Sequence, residues 1–203
     1  MAKKKAEVNL TTQEKIKESA RNVFLRKGYA ATRTRDIAEE AGINLALLNY
    51  YFRSKERLFE EIMQEKVQKL LGSLAPIMND DATSLDDKIE AIVSSYLDVL
   101  ATNPDLPVFV LNELRRNNLS MLQNAHLDKL VAQSSFIKQL REKRSDVNPV
   151  HFLISILSMI IFPFVARPML YLTGMANEKT FVPLMNERRK LIPVWAKAML
   201  KAK

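Results

Sequence analysis

The chain has 203 residues, 47% of them apolar, enough for a packed core and too many for wholesale disorder. It has no cysteine, which excludes disulfides, thiolate metal sites and cysteine nucleophiles and suits a cytoplasmic protein. The formal net charge of +8 is concentrated at one end: residues 1–57 hold 13 Lys/Arg against 7 Asp/Glu, the other 146 hold 18 against 16.

A polyanion partner is one reading of that basic quarter, because neutralised phosphates release their counterions. A solvated basic face is the other. Only four glycines occur and helix formers dominate, so the expected fold is all-α. Met1-Ala2-Lys3-Lys4-Lys5 is basic, but no apolar stretch follows it, so it is not read as a signal peptide.

Thr11 or Thr12 caps a first helix whose apolar positions Ile16, Ala20, Val23 and Phe24 recur at helical spacing. Gly28 ends it as a C′ residue in the left-handed conformation. Thr32 and Thr34 are candidate N-caps of a short second helix through Asp36–Ala41, and residues 42–44 form a turn. Asn44 caps a third helix over 45–51, and Ser54 caps a fourth. That fourth helix carries Phe59, Ile62, Met63, Val67, Leu70, Leu71 and Leu74 in one stripe, longer than a three-helix head needs, and reads as a rigid connector.

Residues 76–84 are the first expected loop. A fifth helix follows through Leu85, Ile89, Ile92, Val93, Tyr96 and Leu100, a sixth over 104–118 and a seventh over 120–143. An eighth starts at Asn148-Pro149 and a ninth occupies 178–203, where Pro193 should kink or divide it. Residues 147–166 hold no charge, long enough for a transmembrane helix. Asn148, His151, Ser155, Ser158 and Pro163 dilute the run, which favours a helix buried on every side.

Two helices joined as tightly as residues 34–51 need a small residue at their crossing (Ala38), a turn glycine (Gly42) and apolar pegs into the first helix (Ile37, Ala41, Ile43, Leu48). A third helix of barely two turns would not survive alone, and makes sense as an element held out to enter a major groove. The stretch from Gly28 resembles the head of the TetR (tetracycline-repressor) family of bacterial transcriptional regulators. It matches at Gly28, Tyr29, Thr32, Ile37, Ala38, Ala41, Gly42, Leu48, Tyr51, Phe52, Ser54, Lys55, Glu56 and Leu58, without gaps.

The resemblance implies a three-helix head, residues 1–57, followed by a helical ligand-binding and dimerisation domain, residues 58–203, about nine helices in all. Thr32, Tyr51 and Lys55 would bind phosphate oxygens. Arg33, Thr34 and Arg35 would reach backbone or base edges from the second helix, and Asn44, Leu45, Ala46, Leu47, Asn49 and Tyr50 would face the groove. The family often has Lys or Arg where Leu45 stands and Tyr where Asn49 stands. Leu45 and Leu47 suit thymine methyls and Asn49 suits an adenine. Alternatively, Leu47 packs inward and Asn49 touches only backbone.

By the same resemblance, the last two long helices pair with their copies in a homodimer, with Ile156, Ile160, Phe164, Met185, Ile192 and Trp195 as contributors. Tyr96, Phe109, Met121, His151, Met159 and Phe162 are candidates to line a cavity for a small, apolar effector, and core packing is their competing role. His126 and His151 lack ligand-spaced partners, no catalytic constellation emerges, and no cofactor, metal or enzyme activity is expected. The leading reading is a repressor of double-stranded DNA released by an effector. A DNA-binding protein without an effector and a membrane-attached regulator are the alternatives.

Overall fold

The computed structural model describes residues 11–115 and 132–201, which hold ten helices and no strand. The chain divides into two compact units, Met1–Gln64 and Glu65–Lys203.

The first unit contains α1 (Thr12–Ala31), α2 (Thr34–Ala41), α3 (Leu45–Phe52) and the start of α4 (Lys55–Asn79). Thr11 caps α1 reciprocally with Glu14: each donates a backbone N–H to the other's side chain, at 2.9 and 3.3 Å. Gly28 interrupts α1 at φ 72 and ψ 162. Its φ is positive as expected, but its ψ lies outside the left-handed helical well, in a region open essentially to glycine alone. Residues 29–31 then add a further turn.

Ile16, Ala20, Val23 and Phe24 of α1 meet Ile37, Ala38 and Ala41 of α2, Leu48 and Phe52 of α3, and Leu58 and Ile62 of α4 in one buried core. Each large member contributes roughly 1.5–3 kcal/mol by leaving water, which holds together helices too short to persist alone. Phe59 closes the rim, edge-on to Phe24 at 5.1 Å and tilted on Tyr29 at 4.5 Å.

The second unit contains the rest of α4, α5 (Leu85–Thr102), α6 (Leu106–Arg115), α7 (Ser135–Lys143), α8 (Pro149–Val165), α9 (Arg167–Leu172) and α10 (Glu178–Lys201). Its centre is the packing of α5, α8 and α10 on one another. Ile89, Val93, Leu97 and Leu100 of α5 face Phe152, Ile156, Ile160 and Phe164 of α8 and Phe181, Met185, Ile192, Ala196 and Leu200 of α10, all buried.

Several boundaries differ from those expected. Residues 76–79 are not loop: α4 runs through Pro76 to Asn79, because Met78 still seats on the core and one missing N–H near a helix end costs little. Ser134 breaks the expected seventh helix and caps α7, its Oγ accepting the Ile137 N–H at 3.4 Å; residues 116–131 lie outside the described residues. Pro193 does not divide α10, where Ile192, Pro193 and Ala196 are buried together.

The apolar helix α8 is buried on one side only. Phe152, Ile156, Ile160 and Phe164, four apart, point inward, Leu153, Leu157 and Ile161 line the cavity described below, and Val150, Ile154 (56% exposed) and Phe162 point out. Of the expected dimer residues, Ile156, Ile160, Phe164, Met185 and Ile192 are therefore interior to this chain and have no surface to offer a copy. Trp195 alone is exposed, at 40%. No helix among the described residues is long and apolar enough to cross a membrane.

Candidate nucleic-acid interface and interior cavity

The α2–turn–α3 segment is fixed by its ends. Neither Thr32 nor Thr34 caps α2; Arg33 does, donating its backbone N–H to the Asp36 carboxylate at 2.9 Å, a bond that holds this carboxyl below its usual pKa. At the other end Gly42 takes φ 64 and ψ 35, and the N–H groups of Gly42 and Ile43 close onto the Glu39 and Ala38 carbonyls. The Asn44 Oδ1 accepts the Leu47 N–H at 2.8 Å and starts α3.

That cap rotates α3 so that its two faces separate cleanly. Leu48 and Phe52, four apart, are fully buried, while Leu45, Ala46, Asn49 and Tyr50 form the exposed stripe, with Tyr50 79% exposed. Leu47 is half-buried on one flank, and Tyr51 lies on the other, edge-on to Tyr50 at 5.4 Å. No charged residue occurs on α3. The Asn49 side-chain amide makes no hydrogen bond among the described residues, whereas the Asn44 oxygen is occupied by its cap.

Exposed cations occur in the same segment. Arg33 and Arg35 are exposed at the start of α2 and form no ion pair among the described residues. Arg53, which the sequence reading passed over, ends α3 at φ 59 and is likewise exposed. A side chain stored at positive φ beside the stripe is a signal only the backbone reveals.

Two expected phosphate ligands sit elsewhere. The Thr32 side chain is 2% exposed and its hydroxyl donates to the Gly28 carbonyl at 2.7 Å, so it faces the interior. Lys55 is half-buried, and its Nζ donates to the Tyr29 and Thr32 carbonyls, each at 3.0 Å, while lying 4.3 Å above the Tyr29 ring. The Tyr29 hydroxyl in turn donates to Glu56 at 3.1 Å. Thr32, Tyr29 and Lys55 thus form a clasp between the end of α1 and the start of α4.

The second unit encloses a cavity of about 340 Å³ bounded by α4, α5, α6, α7 and α8. Of the residues expected there, Tyr96 lines it. Phe109 is buried but turned away while its neighbours Val110 and Leu111 form the wall, Phe162 is 58% exposed at the surface, and Met159 is outside the lining, its carbonyl accepting from Arg188 at 2.6 Å. His151 borders a separate, shallower recess of about 230 Å³ with Arg144 and Met199. Met121 lies outside the described residues. Ile156, expected at a dimer interface, is part of the cavity wall.

A two-turn helix presenting a polar-apolar stripe, backed by a buried face and flanked by free guanidinium groups, defines a helix-turn-helix DNA-binding protein. Residues 16–62 match the family model for "Bacterial regulatory proteins, tetR family". The chain is 32% identical to the HTH-type transcriptional repressor KstR2 of Mycolicibacterium smegmatis, over 61% of this chain and 67% of that protein. It is 26% identical to the "Probable HTH-type transcriptional regulator YttP" of Bacillus subtilis, over 77% of this chain and 79% of that one. The crystal structure of the TetR family transcriptional regulator PfmR from Thermus thermophilus shares the fold, with a TM-score of 0.61, 18% identity, and coverage of 92% of this chain and 97% of that one. The protein belongs to the TetR family and is a DNA-binding transcriptional regulator.

Proposed function

We propose that the protein is a homodimeric repressor that sets one α3 from each subunit into successive major grooves of a pseudo-palindromic operator and leaves it when a small apolar molecule occupies the interior cavity. Residues 1–57 are the DNA-binding head in this reading and residues 58–203 the effector and dimerisation part. The observation that carries it is the exposed stripe Leu45, Ala46, Asn49 and Tyr50 on a helix whose other face is locked into the head. Asn49 offers the donor and acceptor that pair with adenine, and Leu45 and Ala46 offer apolar contact to thymine methyls, so the stripe suits A·T pairs. Arg33, Arg35, Arg53 and the Tyr51 hydroxyl surround it as phosphate contacts. Thr32 and Lys55 have no part in that grip.

Dimerisation is supported by the outward apolar side chains on the neighbouring helices α8 and α10: Ile154, Leu191, Val194 and Trp195. Exposed apolar side chains gathered on two helices packed together suit an interaction surface. The family's relatives named as repressors favour repression over activation.

The test is to select bound sequences from a random DNA pool and measure affinity by fluorescence anisotropy. A pseudo-palindrome with A·T pairs in each half-site is expected. Asn49→Ala should relax the preference at one position per half-site, while Arg35→Ala combined with Tyr51→Phe should weaken binding to all sequences about equally. An Asn49→Ala variant with the wild-type preference would refute the assigned face.

A further inference from the structure

We infer that the interior cavity takes an uncharged, largely hydrocarbon molecule bearing one hydrogen-bonding oxygen, and that this oxygen meets the hydroxyl of Tyr96. The inference rests on the effector reading above and narrows it to a chemical class. At about 340 Å³ the cavity falls in the range of small-molecule sites. Its wall is built of aliphatic side chains such as Val67, Leu70, Leu100, Val110 and Leu153, with Phe136, and Tyr96 is the one polar side chain in the described lining. No lysine, arginine, histidine, amide or aliphatic hydroxyl side chain is in that lining. Among the described lining residues, a carboxylate or phosphate shedding its water finds no cation or N–H side chain to receive it.

Tyr96 itself points to a ligand. Its hydroxyl makes no hydrogen bond to another described residue, and it lines the cavity, where a ligand oxygen can reach it. Burial pushes its pKa up to about 12, so it stays a neutral O–H able to donate and accept. In a wall otherwise made of hydrocarbon, it is the one place where a ketone, ester or alcohol oxygen gains a partner, and a pure hydrocarbon leaves it unpaired.

The test uses three probes of equal length, methyl hexyl ketone, octane and octanoate, with binding to the full chain measured by thermal shift and calorimetry in the absence of DNA. The ketone should bind at least tenfold more tightly than octanoate at neutral pH. Tyr96→Phe should lower ketone affinity about tenfold and leave octane affinity unchanged, which also shows that the variant's cavity is intact. Octanoate binding as tightly as the ketone, or a Tyr96→Phe variant with full ketone affinity, overturns the inference and leaves the effector reading standing. Failure of all three probes to bind overturns both.

Discussion

Replacing Lys55 by methionine keeps the length of the side chain and removes the ammonium that joins the end of α1 to α4. Two charge-assisted bonds at 3.0 Å and a ring contact at 4.3 Å are lost together. A buried hydrogen bond to a charged group is worth about 1.5–3 kcal/mol and an exposed cation–π contact about 0.5–1. Lys55 is half-buried, and water can reach the freed carbonyls, so a loss of about 2 kcal/mol is expected for the whole clasp. Hydrogen exchange followed by mass spectrometry should show faster opening across residues 28–36, and the urea midpoint of the head should fall. Operator binding, measured over a series of salt concentrations, separates the clasp from a phosphate contact. A lysine on a phosphate contributes a slope of about 0.9 to log K against log salt. The Lys55→Met variant should weaken binding with that slope unchanged. A slope reduced by about 1.8, one lysine from each subunit, with exchange and urea midpoint unaltered, would refute the clasp and restore Lys55 to the DNA face.

Two further predictions concern the second unit. Placing glutamates at Ile154 and Leu191 puts charge into the outward face of α8 and α10, and sedimentation velocity should show the dimer dissociating at least a hundredfold more readily, about 2.7 kcal/mol or more; a wild-type chain that sediments as a monomer would refute the proposed interface. Lys88 is fully buried, donating to Ser135 Oγ and Gln139 Oε1 at 3.0 Å, and desolvation holds its pKa below the ordinary 10.5 while Asp80 and Asp81 partly offset this. The folded state therefore binds the Lys88 proton less tightly than the unfolded chain does, so the destabilisation is full below the folded pKa and is relieved as pH rises toward 10.5. Urea unfolding of wild type and Lys88→Met should show wild type gaining stability relative to the variant over that window, and parallel curves would refute the assignment.

What could be read from the sequence was what local chemistry decides. Thr11, Asn44 and Ser54 act as caps because a short oxygen-bearing side chain before an apolar run has one favourable place to bond, and Gly42 needs its positive φ wherever the rest of the chain lies. Leu48 could be placed as an inward peg by the same logic, whereas the burial of Phe52 and the half-burial of Leu47, which narrow the exposed stripe, come from the packing. Residues 147–166 were harder. Where every position of a helix is apolar, periodicity carries no phase, so Ile156 and Ile154 look equally fit for a core or an outer face, and only the packing of α5 and α10 chooses between them. Lys55 was ambiguous for a related reason: a lysine at a helix start serves a phosphate or a pair of carbonyls equally well, and the carbonyls of Tyr29 and Thr32 arrive through the fold rather than through sequence spacing. Likewise, Tyr96 could be proposed for the cavity, but its lack of a partner is a property of the assembled wall.

The neutrality of α3 has a consequence for how such a regulator behaves across a chromosome. In the proposed reading, its attraction to DNA comes from guanidinium groups off α3, and its choice among sites comes from an amide, aliphatic groups and a phenol on it. Shifts in cellular ionic strength then raise or lower occupancy at every site together, while the order in which sites fill stays the same. A lysine or arginine on the stripe would tie choice to charge, and a change in osmotic conditions would reshuffle which genes are controlled. On that proposed face the hierarchy of target promoters is insulated from the ionic composition of the cell, and only their common threshold moves with it.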